Sequence, residues 1–251
     1  MMDNDDVLYV STNPGLCEII DLSKQVIFFG SDFHIGHNKD FIYERRGFKN
    51  IDDHNEFIYK ASLDYVNTFR TLYPNKQMIF IFCGDFSLNL DFDKVINWLN
   101  RISSIFDKVF YVFGNHESQI NRYVYTQSDR RFPIKIKNVV FYGNELLLKV
   151  YETTTPILQN RICNPILCTH YPLASVPGHC GPNSWINICG HTHGTFDPTK
   201  LSNKLSLDPV LNFDPKKIPP CFDISVDSCR KFNKGLPIIE FNDLFNLINK
   251  K

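Results

Sequence analysis

The chain has 251 residues, with 27 Lys and Arg balanced by 27 Asp and Glu, and so a formal net charge of +0. Hydrophobic residues make up 43% and charged residues 22%, the composition of a folded globular chain rather than a disordered one. Neutrality argues against a dedicated nucleic-acid binder, which usually carries a basic excess, although a local basic patch stays open.

The start, Met1-Met2-Asp3-Asn4-Asp5-Asp6, is acidic and does not read as a signal peptide. Val7–Val10 and Glu18–Leu22 read as a short hairpin turning at Asn13-Pro14-Gly15. Gln25–Gly30 is a buried strand, since Phe28 and Phe29 leave it no polar face. A loop runs to about Asn50. Ile51–Tyr73 is helical, with Phe57, Ala61, Tyr65 and Phe69 on one face, and Pro74-Asn75 ends it. His54, near its start, reads as solvent-exposed. Met78–Cys83 is the second buried strand, Phe92–Phe106 a helix with Val95, Trp98, Leu99 and Ile102 inward, and Lys108–Phe113 the third strand. Buried strands alternating with amphipathic helices indicate an α/β layer with parallel strands.

The second half is strand-rich: Val139–Tyr142, Glu145–Tyr151, Arg161–Cys168, Trp185–Cys189 and Phe222–Val226, which suggests a second sheet packed on the first. Residues 197–220 hold Pro198, Pro209, Pro215, Pro219 and Pro220 and read as an irregular insertion. Glu240–Ile248 closes the chain as a helix. The length and the lack of a long linker suit a single domain over residues 1–251. None of the eight Cys forms a Cys-x-x-Cys pair, so reduced thiols and an intracellular, cytoplasmic location are expected. No apolar run approaches the roughly 18 residues of a membrane span.

Five segments carry the chemistry: Asp32-Phe33-His34, Gly84-Asp85, Gly114-Asn115-His116-Glu117, Thr169-His170 and Gly190-His191-Thr192-His193. Residues two apart on an extended segment point the same way, so Asp32 and His34 can reach one cavity, as can His191 and His193. Glycine directly before Asp85, Asn115 and His191 lets the chain turn sharply at a strand end. Such ends form the crevice where α/β proteins bind substrates. Mixed His nitrogen and Asp or Asn oxygen suits two divalent transition metals, Mn foremost and then Fe, Zn, Co or Ni, over Mg or Ca. Two such ions clamp a phosphoryl group and supply hydroxide from water at neutral pH. Asp85 is the candidate to bridge them.

In content and order these segments resemble the motifs of the calcineurin-like metallophosphoesterase superfamily, D-x-H, G-D, G-N-H-[D/E], H and G-H-x-H. The resemblance covers most of the chain. It is strongest to small bacterial and phage phosphoesterases, through Ser31-Asp32-Phe33-His34-Ile35-Gly36-His37, Cys168-Thr169-His170-Tyr171-Pro172-Leu173 and Gly190-His191-Thr192-His193-Gly194. A Ser225-Val226-Asp227 strand followed by Pro237 and a short helix also fits that group. The resemblance implies a four-layer α/β/β/α sandwich of two mixed sheets. It implies one metal held by Asp32, His34, Asp85 and His193 and a second by Asp85, Asn115, His170 and His191. His116 would protonate the leaving oxygen or stabilise the transition state, and Glu117 would orient His116.

The activity so implied is hydrolysis of a phosphate ester, with a phosphodiester such as a nucleotide or cyclic nucleotide favoured. A nuclease, a phosphomonoesterase or protein phosphatase, and a non-enzymatic scaffold are the alternatives. The phosphoprotein reading is weakened because Gly84-Asp85-Phe86-Ser87-Leu88-Asn89 has no Arg of the kind those phosphatases place on phosphate. His37, Arg45 and His179 are candidates to contact substrate, each against the plainer reading of a surface side chain. Arg45-Arg46 reads equally as a phosphate contact or as a solvated pair. The basic run Arg130–Lys137 reads as an exposed strand before it reads as a nucleic-acid contact.

Overall fold

The computed structural model describes residues 17–128, 131–153, 159–161, 163–173, 185–195 and 221–249. The Pro-rich 197–220 segment, Val7–Val10 and His179 lie outside the described residues.

Two six-stranded mixed sheets face each other. The first is built on β2 (Gln25–Gly30), β3 (Gln77–Cys83), β4 (Lys108–Val112) and β6 (Val139–Phe141), all parallel, with β5 (Ile134–Ile136) and β12 (Ile239–Glu240) as antiparallel edges. The second runs β1 (Cys17–Asp21), β7 (Glu145–Thr153), β9 (Ile166–Thr169), β10 (Ile186–Cys189) and β11 (Cys221–Asp223), with β8 (Gln159–Arg161) paired to β7. The helices are α1 (Asp40–Tyr43), α2 (Ile51–Leu72), α3 (Phe92–Ser103), α4 (Ser118–Thr126), α5 (Val226–Phe232) and α6 (Phe241–Asn249).

Side chains alternate across a strand, so a strand buried on both faces reads as an unbroken apolar run. In β2, β3 and β4 the residues Val26, Phe28, Met78, Phe80, Phe82, Val109 and Tyr111 pack with Ile58 and Val66 of α2, Val95 and Leu99 of α3, and Ile120 and Val124 of α4. The intervening Ile27, Phe29, Ile79, Ile81, Phe110 and Val112 meet Leu146, Leu148, Ile166 and Ile188 of the second sheet. The helix-side core is aromatic, with Phe80 stacked on Phe106 at 4.5 Å between ring centroids. The far face of the second sheet carries Leu167, Leu173 and Trp185. The two mixed sheets and the helices packed with them form the expected α/β architecture.

Several expectations need correction. The buried stripe of α2 is His54, Ile58, Ser62 and Val66, one position round from the expected face. Phe57, Tyr65 and Phe69 pack at the flank, where the Tyr65 hydroxyl can donate to Asp243 at 3.0 Å. His54 is fully buried, not exposed. Cys17–Asp21 pairs in parallel with β7, while Val7–Val10, the other half of the expected hairpin, lies outside the described residues. The single strand expected over 161–168 is two strands, β8 and β9, with Pro165, which has no N–H to pair, directly before β9. Val226-Asp227 opens α5 instead of extending a strand, because Ser225 caps the helix by accepting from the Ser228 N–H. Helix α4 was not expected. Of the basic run, the described residues include β5, an edge strand with Ile134 buried and Lys135 exposed. Among the described residues no helix is long and apolar enough to cross a membrane.

Candidate metal centre

Parallel strands deliver the five motif segments to one place. Asp32 and His34 follow β2, Asp85 follows β3, Asn115 and His116 follow β4, His170 follows β9, and His191 and His193 follow β10. The loops are stitched backbone to backbone. The Asp32 N–H donates to Gly84 O at 2.9 Å, the His34 N–H to Asp85 O at 3.1 Å, and the Gly190 N–H to His170 O at 2.9 Å. Asp32, which is fully buried, ties the two sheets together: its carboxylate accepts the His191 N–H at 3.0 Å and the Ser31 hydroxyl at 2.5 Å.

The backbone is strained where the candidate ligands sit. Asp32, His34, Asp85, His191 and His193 have φ between 48 and 67°, a region that L-residues seldom occupy. Such outliers cluster at functional sites, where surrounding contacts hold them in place. The glycines leave room. A Cβ on Gly114 would lie 2.2 Å from Asp85 Oδ1, and one on Gly190 would lie 2.3 Å from Asp32 Oδ2.

Two groups of donors result, Asp32 with His34 and His193, and Asp32 with Asp85 and His170, the donor atoms within each lying within 4.8 Å of one another. The Nε2 atoms of His34 and His193 face each other at 3.2 Å. His170 Nε2 lies 2.8 Å from Asn115 Oδ1 and 3.4 Å from Asp85 Oδ2. The ring of His191 lies 5.1 Å from that of His170. His170 Nδ1 lies 2.9 Å from Cys83 O; a hydrogen held there leaves Nε2 as a lone pair pointing at carboxylate and amide oxygens. Acceptors packed against acceptors hold together only around a proton or a cation, so the donor set fits divalent metal.

The electrostatics agree. Burial pushes Asp32 up to about 6, although His170 and His193 pull the other way. Burial opposes a charged His170, yet its hydrogen bond to Asp85 and the charges of Asp85 and Asp32 outweigh this and lift it to about 9. Burial also works against ionised Asp85, but His170, His34 and the His116 N–H hold it below the usual carboxylate range. Protons stand where cations would compete for the same lone pairs.

Other expected residues fall around this centre. The His116 N–H donates to Asp85 Oδ1 at 2.8 Å, and its half-buried ring lies 5.9 Å from that of His34. Glu117 is not placed as expected: its carboxylate accepts the Phe86 N–H at 3.1 Å and the Tyr111 hydroxyl at 2.7 Å, bracing the loop under Asp85 rather than the His116 ring. Burial pushes it up to about 8. His37 is 7% exposed with Nδ1 lacking a partner among the described residues, and its ring lies 5.4 Å from that of His34. Arg45 donates to His193 O at 3.3 Å from an exposed position.

Three residues outside the motifs complete the site. Asp223 accepts from the Thr192 hydroxyl at 2.5 Å and the Gly194 N–H at 2.7 Å, pinning the Gly190–Gly194 loop. Asp227 lies 3.0 Å from His193 Nδ1. Arg46 is 4% exposed, not solvated, and pairs with Asp227 at 2.8 Å. No local signal marks Asp227 and Arg46 as partners, since 181 positions separate them.

A model of the family described as "Calcineurin-like phosphoesterase" matches residues 27–208. Among solved structures, the chain aligns with the crystal structure of a protein of unknown function, AQ665, from Aquifex aeolicus. That alignment has 16% identity and a TM-score of 0.46, and covers 89% of this chain and 100% of that one. No curated protein matches.

Two outcomes are expected. Gly190→Ala forces a methyl against the Asp32 carboxylate and should weaken divalent-cation binding at least about tenfold in a calorimetric titration, as when a group that orients a metal ligand is lost; unchanged affinity would contradict the close fit. Burial, with Arg46 beside it, lowers the His54 pKa from 6.5 to about 3. The unfolded chain therefore takes up a proton that the folded one refuses, so His54 costs stability as pH falls from about 6.5 towards 3. Denaturant unfolding of His54→Gln should show a shallower loss across that window than the parent; identical slopes would contradict it.

Proposed function

The chain belongs to the calcineurin-like phosphoesterase family, and from that premise we propose that it is a binuclear hydrolase of phosphodiesters, with nucleotides or cyclic nucleotides as the substrate class. The observation that carries this reading is the pair of adjoining donor groups that share Asp32, with Asp85 of the second lying 3.9 Å from His34 of the first. In this reading Asp32, His34, Asp85 and His193 hold one ion, and Asp85, Asn115, His170 and His191 the other. When bound, such ions supply Lewis acidity and lower the pKa of water towards about 7.

The chain's own groups do the rest. Asp85 is immobilised by the His116 N–H at one oxygen and faces His170 and His34 with the other, at 3.4 and 3.9 Å, from where it would be shared by the two ions. His116 stands at the edge of the centre, where its ring delivers a proton to the departing oxygen. His37 stands beside His34, its ring 5.4 Å away, where it would border a phosphoryl group held at the centre. Arg45 offers a single guanidinium at the mouth. That suits the one negative charge of a diester better than a monoester, which carries nearly two at neutral pH. Phe41, 64% exposed and 5.5 Å from the His37 ring, gives a flat apolar face on which a base can stack.

Purified protein supplied with Mn²⁺ should hydrolyse an aryl phosphodiester faster than the matching monoester. Asp85→Asn should abolish turnover. His116→Gln should lower kcat by about 10²–10⁴, the usual worth of a positioned general acid, with bound Mn²⁺ unchanged. Undiminished turnover in both variants would overturn the mechanism, and faster monoester cleavage would overturn the diester preference.

A further inference from the structure

We infer that Arg46 is a positioning residue for one half of the metal centre: through Asp227 and two backbone carbonyls it fixes the Asp32-His34 loop and His193 relative to each other. This rests on the binuclear reading above and adds to it a residue outside all five motifs.

The guanidinium is used at every side. Nη2 donates to Asp32 O at 2.9 Å and Nη1 to Phe33 O at 3.3 Å, which clamps the loop exactly where φ turns positive at Asp32 and His34. Nη2 and Nε both reach Asp227 Oδ2, at 2.8 and 3.3 Å. The same oxygen lies 3.0 Å from His193 Nδ1. Arg46 Nη2 and His193 Nδ1 are only 3.4 Å apart, so they are two donors converging on one acceptor rather than partners.

That convergence dictates a tautomer. Asp227 accepts, so the hydrogen of His193 must sit on Nδ1, and Nε2 is left as a lone pair 3.2 Å from His34 Nε2. The same guanidinium fixes a second tautomer, that of His54. Arg46 Nη1 can only donate to His54 Nε2, at 2.9 Å, so the His54 hydrogen lies on Nδ1 and points to Asn55 Oδ1 at 3.3 Å. Asn55 Oδ1 also takes the Gly36 N–H, at 3.2 Å. The first turns of α2 therefore hold the metal loop at both Gly36 and Arg46. A cation beside a metal site repels its ions. Asp227 offsets that charge, so what Arg46 contributes is geometry. Among the described residues its hydrogen bonds reach Asp32, Phe33, His54 and Asp227, which holds His193, and none goes to Asp85, Asn115 or His170.

The consequence is asymmetric. In a calorimetric titration with Mn²⁺, the parent should bind two ions. Arg46→Met should keep one of them within about threefold and bind the other ten- to hundredfold more weakly, the range found when an outer-shell partner is lost. Its isotherm should resemble that of His193→Ala and not that of Asn115→Ala. Arg46→Lys, which keeps the charge but not the fork, should show the same selective loss. Asp227→Asn preserves volume and decides the matter if circular dichroism shows that the Arg46 variants do not fold; it too should lose one ion selectively. Equal weakening of both ions would mark Arg46 as merely structural, and unchanged binding would remove it from the site; either result overturns the inference. A parent that binds fewer than two ions would instead overturn the binuclear reading on which it rests.

Discussion

Electron-pair donors have been crowded together with little but one another to face. Asp32, His34, Asp85 and His170 are each almost wholly buried, and their donor atoms converge from two different sheets. Burying carboxylates and imidazoles in this way costs several kcal/mol per unpaired charge, which a fold accepts only where a cation or a set of protons neutralises them. The rest of the architecture serves that convergence. Parallel strands bring five loops to common ends, the inter-sheet core holds those ends in register, and the aromatic helix-side core keeps the first sheet rigid behind them.

Rigidity matters because the loops are not relaxed. Left-handed backbone at Asp32, His34, Asp85, His191 and His193 is unfavourable for side-chain-bearing residues and persists because neighbouring contacts over-determine it. Those contacts are identifiable: the ladder between Asp32–Ile35 and Gly84–Phe86, the Asp223 bonds under Gly194 and Thr192, the Glu117 carboxylate between Phe86 and Tyr111, and the Arg46 fork. Close packing of Gly114 and Gly190 against the ligand carboxylates shows the same economy of space. Loops held in this way keep their side chains preorganised, the condition under which electrostatic positioning is effective.

Much of this was legible in the sequence, for physical reasons. β2, β3 and β4 are apolar on both faces and stand out as unbroken runs, and each motif announces itself by a ligand placed at a strand end. What escaped reading depends on distant partners. The buried stripe of α2 runs through His54 and Ser62 rather than the aromatic residues, because Tyr65 must keep its hydroxyl near Asp243. His54 looked exposed because the guanidinium that satisfies it lies on another segment. Val226-Asp227 is the exception, since the Ser225 cap that starts its helix is local and of a residue type that marks helix starts. Glu117, adjacent to His116, seemed bound to serve it, yet its acceptors are filled by Phe86 and Tyr111.

The most direct measurement is anomalous diffraction from crystals of the protein grown with Mn²⁺. Two peaks about 3.5–4 Å apart are expected, the spacing of two-metal sites, with Asp85 between them, His34 and His193 on one side and Asn115, His170 and His191 on the other. A single peak, or peaks that avoid these side chains, would contradict a binuclear centre.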